Sequence, residues 1–163
     1  MIIISMSEWE GLEGMGEEAL REIRPDVRRT LFQAGMLLQN TIKQTLTGRG
    51  RTGRLYKVSR KGRRHRASAP GEPPAVLYGA LRNSVGHSNV EWDGWEASMS
   101  VGPGLGTSPK DGSPDPGDAY ARRLEYGGAD SRGVMVLPRP YMEPSVQKAE
   151  APMNALFVRE LGS

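Results

Sequence analysis

Apolar side chains recur at helical spacing most regularly between Asp26 and Leu46. Val27, Leu31, Ala34, Leu38, Ile42 and Leu46 fall on one face there, and Phe32 and Met36 widen it. The spacing predicts a helix over 26–46, about 30 Å long at 1.5 Å per residue, divided by Pro25 from what precedes it and ended by Gly48. A stripe this regular belongs to a core rather than a binding groove. Upstream, Trp9, Leu12, Met15 and Leu20 lie in a glutamate-rich segment weakened by Gly11, Gly14 and Gly16, which predicts a short helix starting near Ser7. Ile2–Ile4 reads as an edge strand or an ordered terminus. At the other end Val146, Ala149, Met153, Leu156 and Phe157 predict a last amphipathic helix, with Pro144 in its first turn and Pro152 kinking or splitting it.

Alternation with a period of two marks a hairpin over Val85–Gly102. Asp93-Gly94 is a two-residue turn signal. Centring the turn there pairs Trp92 with Trp95, Val90 with Ala97, Ser88 with Met99 and Gly86 with Val101 on one face. Glu91 with Glu96, Asn89 with Ser98 and His87 with Ser100 take the other. Between Asp118 and Val146 the chain reads as a short helix capped by Asp118, a glycine stop at Gly127 and Gly128, and a strand over Val134–Leu137. A corner braced by Pro138 and Pro140 follows. That strand, four apolar residues in a row, reads as covered on both sides. A shorter helical stretch is expected over Val76–Ser84, with Leu77 and Leu81 on one side and Arg82 on the other.

Composition adds loops and an arm to this picture. The chain has 163 residues, 21 of them glycine and 12 proline, and few aromatics for a core. No acidic residue stands between Asp26 and Glu72, and Arg49–Arg66 holds nine basic ones. Leu55–Ser59 alternates like a strand, and Arg64–Ser68 can pair back onto it across Arg60–Arg63, so this section reads as a projecting basic hairpin or arm. Such asymmetry points to an anionic partner, nucleic acid or an acidic protein surface. Ala69–Pro74 reads as a stiff extended linker, and Gly102–Gly117 as a long loop. The sum is one α+β domain over 1–163: a small, mostly antiparallel sheet packed against one long and several short helices, with a basic arm at about 48–74 and a flexible loop at about 102–117. Met1–Ile4 is too short to span a membrane and lacks a signal peptide's basic flank, so a soluble intracellular protein is expected, with no membrane partner.

Reactive groups do not converge. There is no cysteine, which removes disulfides and thiolate metal sites, and there are two histidines. His65 lies in the basic arm, and His87 reads as an ordinary surface histidine. Gly48–Arg54 has the glycine spacing of a phosphate loop, but Arg54 and Leu55 replace its lysine and hydroxyl. Asp111, Asp115 and Asp118 fit no calcium loop. Glu125 reads as structural or interfacial rather than as an acid or base. We therefore expect no enzyme activity, no cofactor and no metal.

Three stretches in order carry a resemblance. Ala69-Pro-Gly-Glu-Pro-Pro74 leads into Gly79-Ala-Leu-Arg-Asn-Ser-Val85; Tyr120-Ala121 precedes Leu124-Glu-Tyr-Gly-Gly128; Arg139-Pro-Tyr-Met-Glu-Pro144 opens the last helix. Together they resemble the neck, or tail-completion, proteins of long-tailed bacteriophages. The resemblance implies a non-enzymatic virion protein assembled in the host cytoplasm. Several copies, a hexamer by expectation, form a ring at the head–tail junction, between the head-completion or connector protein and the tail terminator or tail tube, around the DNA channel. For such a ring Arg54, Tyr56, Arg60, Arg63, Arg64, Tyr120, Glu125, Tyr126, Arg139 and Tyr141 are the expected subunit or ring contacts. Arg49, Arg51, Lys57, Lys61 and Arg66 are the candidates for contact with DNA in the channel. The alternative is a nucleic-acid-binding module that works through the arm, with Tyr56 as a stacking surface.

Overall fold

The structure is a computed structural model that describes residues 1–5, 16–48, 50–58, 62, 64–106, 118–130 and 132–161. The expected helix near Ser7, the loop 107–117 and the Asp118 cap lie outside the described residues and side chains.

The long helix, α1 (Glu17–Thr47), carries the stripe read from the sequence: Val27, Leu31, Ala34, Leu38, Ile42 and Leu46 are all buried. It starts nine residues earlier than the periodicity suggested and contains Pro25. An interior proline forfeits one backbone bond and crowds the preceding turn, at about 3 kcal/mol. Tertiary contacts hold that turn in place. Ile23 packs with Val27, Leu31 and Ala97, and the Arg24 guanidinium lies 5.0 Å from the centre of the Trp92 ring. Phe32, expected to widen the buried stripe, is exposed.

Strand β1 (Ile2–Ser5) pairs antiparallel with β6 (Glu96–Gly102), Ile4 opposite Met99. On its other side β6 pairs with β4 (Gly86–His87) and β5 (Glu91–Asp93). Along β6, Ala97, Met99 and Val101 are buried on one face, as alternation required. That face meets α1. A Cβ on Gly35 would stand 2.5 Å from Met99 Sδ, so the glycine makes room for the methionine. The last helix, α4 (Met142–Leu161), runs antiparallel to α1 as one piece; Pro152 does not split it. Ser145 Oγ donates to Thr45 Oγ1 at 2.9 Å near one end, and Arg29 meets Glu160 at 3.9 Å near the other. Val85, Val101, Leu124, Tyr141 and Ala149 complete the main core with Leu38, Ile42 and Leu46.

The hairpin register differs from the expectation. Glu91 faces Ser98, Trp92 faces Ala97 and Asp93 faces Glu96, so Gly94 and Trp95 form the turn. Gly94 has φ +60°, the first-position glycine of a type II′ turn. This is a slip of two residues, which preserves faces and changes partners. Farther along, His87 faces Val101 rather than Ser100. Between Glu91–Ser98 and His87–Val101 there are three residues on one strand and two on the other, a one-residue bulge that reverses the face. The Ser88 N–H donates to Ser100 O at 2.9 Å, and Ser88 Oγ accepts from the Ser100 N–H at 3.0 Å. His87 therefore turns toward α1, its Nδ1 2.5 Å from Gln39 Oε1 and its ring edge-on to Phe32.

Around this body sit the short helix α2 (Ala80–Ser84), shorter than the expected 76–84 span, and two small hairpins. Strands β2 (Leu55–Lys57) and β3 (Arg64–Arg66) form the basic arm and, among the described residues, pair only with each other. Helix α3 (Asp118–Tyr126) leads into β7 (Gly128–Ala129), which pairs with β8 (Met135–Val136). The Val134–Leu137 run, expected to be buried on both sides, is not: Val134 is 55% exposed, Met135 69% and Leu137 56%. Among the described residues its strand partner is a Gly–Ala pair, too small to cover it.

Candidate interaction surfaces

The corner that follows β8 is built on one carboxylate. Glu125, in the last turn of α3, accepts through Oε2 from the N–H of Tyr141 at 2.8 Å and of Met142 at 3.0 Å. Through Oε1 it accepts from the Glu143 N–H at 3.0 Å. The first N–H groups of a helix have no partner inside it and carry a partial positive charge. Glu125 thus caps α4 from another element. The end of α3 is closed in turn: the Gly127 N–H donates to Arg123 O at 2.9 Å and the Arg139 N–H to Leu124 O at 2.6 Å. Gly127 takes φ +78°, the left-handed step expected of a helix stop. Asp130 then shapes the β7–β8 turn, its Oδ1 accepting from the Arg132 N–H at 2.8 Å and the Val134 N–H at 2.9 Å. Those bonds hold its carboxyl below the usual range.

A second carboxylate fixes the base of the arm. Glu72 accepts from the Thr52 hydroxyl at 2.6 Å, from the Thr52 N–H at 2.9 Å and from the Ala69 N–H at 2.9 Å. The Thr52 hydroxyl, then these amides, hold its carboxyl at about 2. The Gly71 N–H donates to Pro138 O at 2.9 Å. The stretch read as an extended linker is therefore a folded turn, fastened to the arm on one side and to the proline corner on the other. Its anchor, Glu72, was not singled out in the sequence, where a carboxylate among prolines carries no signal of its partners. The stretches that carry the resemblance are thus brought together: the first is bonded through Gly71 to Pro138, the residue just before the third, and the second is bonded to the third through Glu125.

The expected contact residues divide accordingly. Tyr141 is fully buried and Glu125 nearly so, which makes both parts of the chain's own core rather than subunit contacts. Arg51, a candidate for DNA, instead donates to Thr45 O at 3.0 Å and Leu46 O at 3.4 Å. It is a cation over the carbonyl end of α1, and the helix occupies it. Tyr120 lies near both Arg139 and Tyr56. Partial burial raises the Tyr120 phenol, Arg139 opposes that, and Tyr56 adds to it. Tyr56 also meets His65 edge-on at 5.5 Å. Arg139 donates to Leu137 O at 3.3 Å. Tyr126 is 77% exposed. Arg54, Lys57, Arg64 and Arg66 are exposed on the arm. Arg49, Arg60, Lys61 and Arg63 lie outside the described residues.

Two features escaped the sequence reading. One is the exposed strip Val134, Met135 and Leu137, for which the Gly–Ala partner was the available signal. The other is a groove of about 450 Å³ between the chain's first residues, α3 and α4, lined by Ile2, Ala121, Glu125, Tyr141, Met142 and Val146 among others. No set of residues able to hold a metal ion occurs among the described residues, and no described helix is long and apolar enough to cross a membrane. Comparison with protein-family models, curated proteins and solved structures finds no match.

Proposed function

We propose that the chain is a structural ring subunit of a tailed-phage neck, several copies closing head-to-tail around the DNA channel between the head connector and the tail terminator. The observation that carries this reading is the exposure of Val134, Met135 and Leu137, together with that of Tyr126, on and next to a hairpin clamped at both ends. Several exposed apolar side chains gathered on one short hairpin suit a protein interaction site. The resemblance of the three motif stretches supplies the particular assembly, a hexamer by expectation.

Magnitude favours a closed ring over a single contact. Covering the exposed parts of these three side chains contributes about 3–5 kcal/mol at about 1.5–3 kcal/mol per fully buried side chain. Association costs about 4–15 kcal/mol in lost freedom. One strip is therefore marginal, whereas in a ring every subunit is held from two sides. Light scattering and electron microscopy of the purified chain test this. The wild type is expected as a ring and Met135→Asp as a folded monomer. A wild type that stays monomeric at every concentration, or a Met135→Asp variant that assembles normally, refutes the proposal.

A further inference from the structure

We propose that the β2–β3 hairpin grips the phosphate backbone of duplex DNA without reading its sequence. The register places Leu55 opposite Arg66 and Lys57 opposite Arg64, so Lys57, Arg64 and Arg66 share one face, while Tyr56 and His65 share the other. All three cations are exposed, Arg66 keeping further donors free of the one bond its Nη1 gives to Gly53 O at 3.3 Å. Among the described residues, the ion pairs Arg29–Asp26, Arg29–Glu160, Arg132–Asp130 and Arg159–Glu160 use no residue of the hairpin. The nearest carboxylate in sequence beyond the arm, Glu72, is committed to Thr52 and Ala69.

Like charges directly opposite each other weaken a strand pair. A two-stranded hairpin alone is marginal in water. This one nevertheless sets Lys57 against Arg64 with Arg66 on the same face, an arrangement that an anionic ligand would relieve. The base, by contrast, is rigid. The Ala67 N–H donates to Arg54 O at 3.0 Å, and Gly53 has no room for a Cβ, which would stand 2.7 Å from Ala67 O. The hairpin thus presents one cationic face from an anchored base.

Geometry favours a duplex over other polyanions. Arg64 and Arg66 stand about 7 Å apart at about 3.4 Å per residue, a separation on the scale of neighbouring phosphates along one strand, which wind around the axis while rising about 3.4 Å each. A two-stranded ribbon also fits the width of the major groove. Single strands are gripped through stacking platforms, but Tyr56 is engaged edge-on by His65 at 5.5 Å and lies close to Tyr120.

Binding of a fluorescent duplex of arbitrary sequence, measured across a salt series, tests the proposal whether or not the chain assembles. The comparison is with the triple variant Lys57→Gln, Arg64→Gln, Arg66→Gln, whose fold is checked by circular dichroism and thermal melting. Three lost phosphate contacts flatten the log–log salt slope by about 2.7, at about 0.9 per contact. For the wild type those contacts account for about a 40-fold loss of affinity between 50 and 200 mM salt by the same relation. The triple variant is expected to melt no lower than the wild type, because its cross-strand repulsion is gone. No duplex binding, an unchanged slope, tighter binding to a single strand than to the duplex, or equal binding to polyglutamate each overturns it.

Discussion

Replacing Glu125 with alanine removes the acceptor for three amides at once. The N–H groups of Tyr141 and Met142 are bonded to Oε2 in a buried setting, and that of Glu143, part-buried, to Oε1. A buried donor left without a partner costs about 1–3 kcal/mol. Losing an N-cap costs about 0.5–2 kcal/mol, with Glu143 regaining water. The two buried amides dominate, and the loss comes to about 3–5 kcal/mol. For a chain of this length each kcal/mol lowers the melting midpoint by about 2–4 °C, so Glu125→Ala is expected to melt about 10 °C below the wild type. Glutamine keeps one acceptor oxygen but turns an amide donor toward the remaining N–H groups, so it falls between the two. Urea unfolding followed by circular dichroism, at a concentration where the chain is monomeric, measures the loss apart from assembly. Hydrogen exchange at residues 141–143 localises it. A Glu125→Ala chain within about 1 kcal/mol of the wild type would refute the capping argument.

Two further outcomes follow from the arm base and the tight contacts. Glu72 titrates lower in the folded chain than unfolded, so its contribution is complete above about 4.5 and is lost as pH falls through about 2; the Thr52 and Ala69 amides should lose exchange protection across that window, and Glu72→Gln should flatten the dependence. A Cβ on Gly86 would stand 2.1 Å from Leu105 O, a backbone atom that cannot swing aside. Gly86→Ala should therefore destabilise by about 2–4 kcal/mol in thermal unfolding, unlike Gly16→Ala, whose Cβ meets nothing.

What the sequence made legible was whatever depends on one period at a time. The α1 stripe is buried residue for residue, and the basic hairpin pairs where its alternation suggested. The β5–β6 faces were also legible while their partners were not, because a two-residue slip leaves the period-two pattern intact. The bulge before Glu91 is different: it rests on one extra residue, which periodicity does not mark, and it moved His87 to the helix side. Contacts between distant segments were hidden altogether. Nothing near Glu125 announces the amides sixteen to eighteen residues away, or near Pro25 the Trp92 ring that steadies its turn. The Val134–Leu137 run misled because apolar character alone states a wish for cover, and within one copy of this chain no large side chain across the pairing supplies it.

The clamped segment from Gly127 to Pro140 has a mechanical consequence. One end is tied through the Arg139 amide to the Leu124 carbonyl, and the same corner is seated by Glu125 under the first turn of α4. A load applied at Met135 is therefore passed through these bonds to α3 and α4, which are anchored in the main core by Leu124 and by Met142 and Ala149. Such a projection behaves as a bracket bolted to the frame rather than as a tether, and it would keep its angle under tension along the axis of whatever it joins.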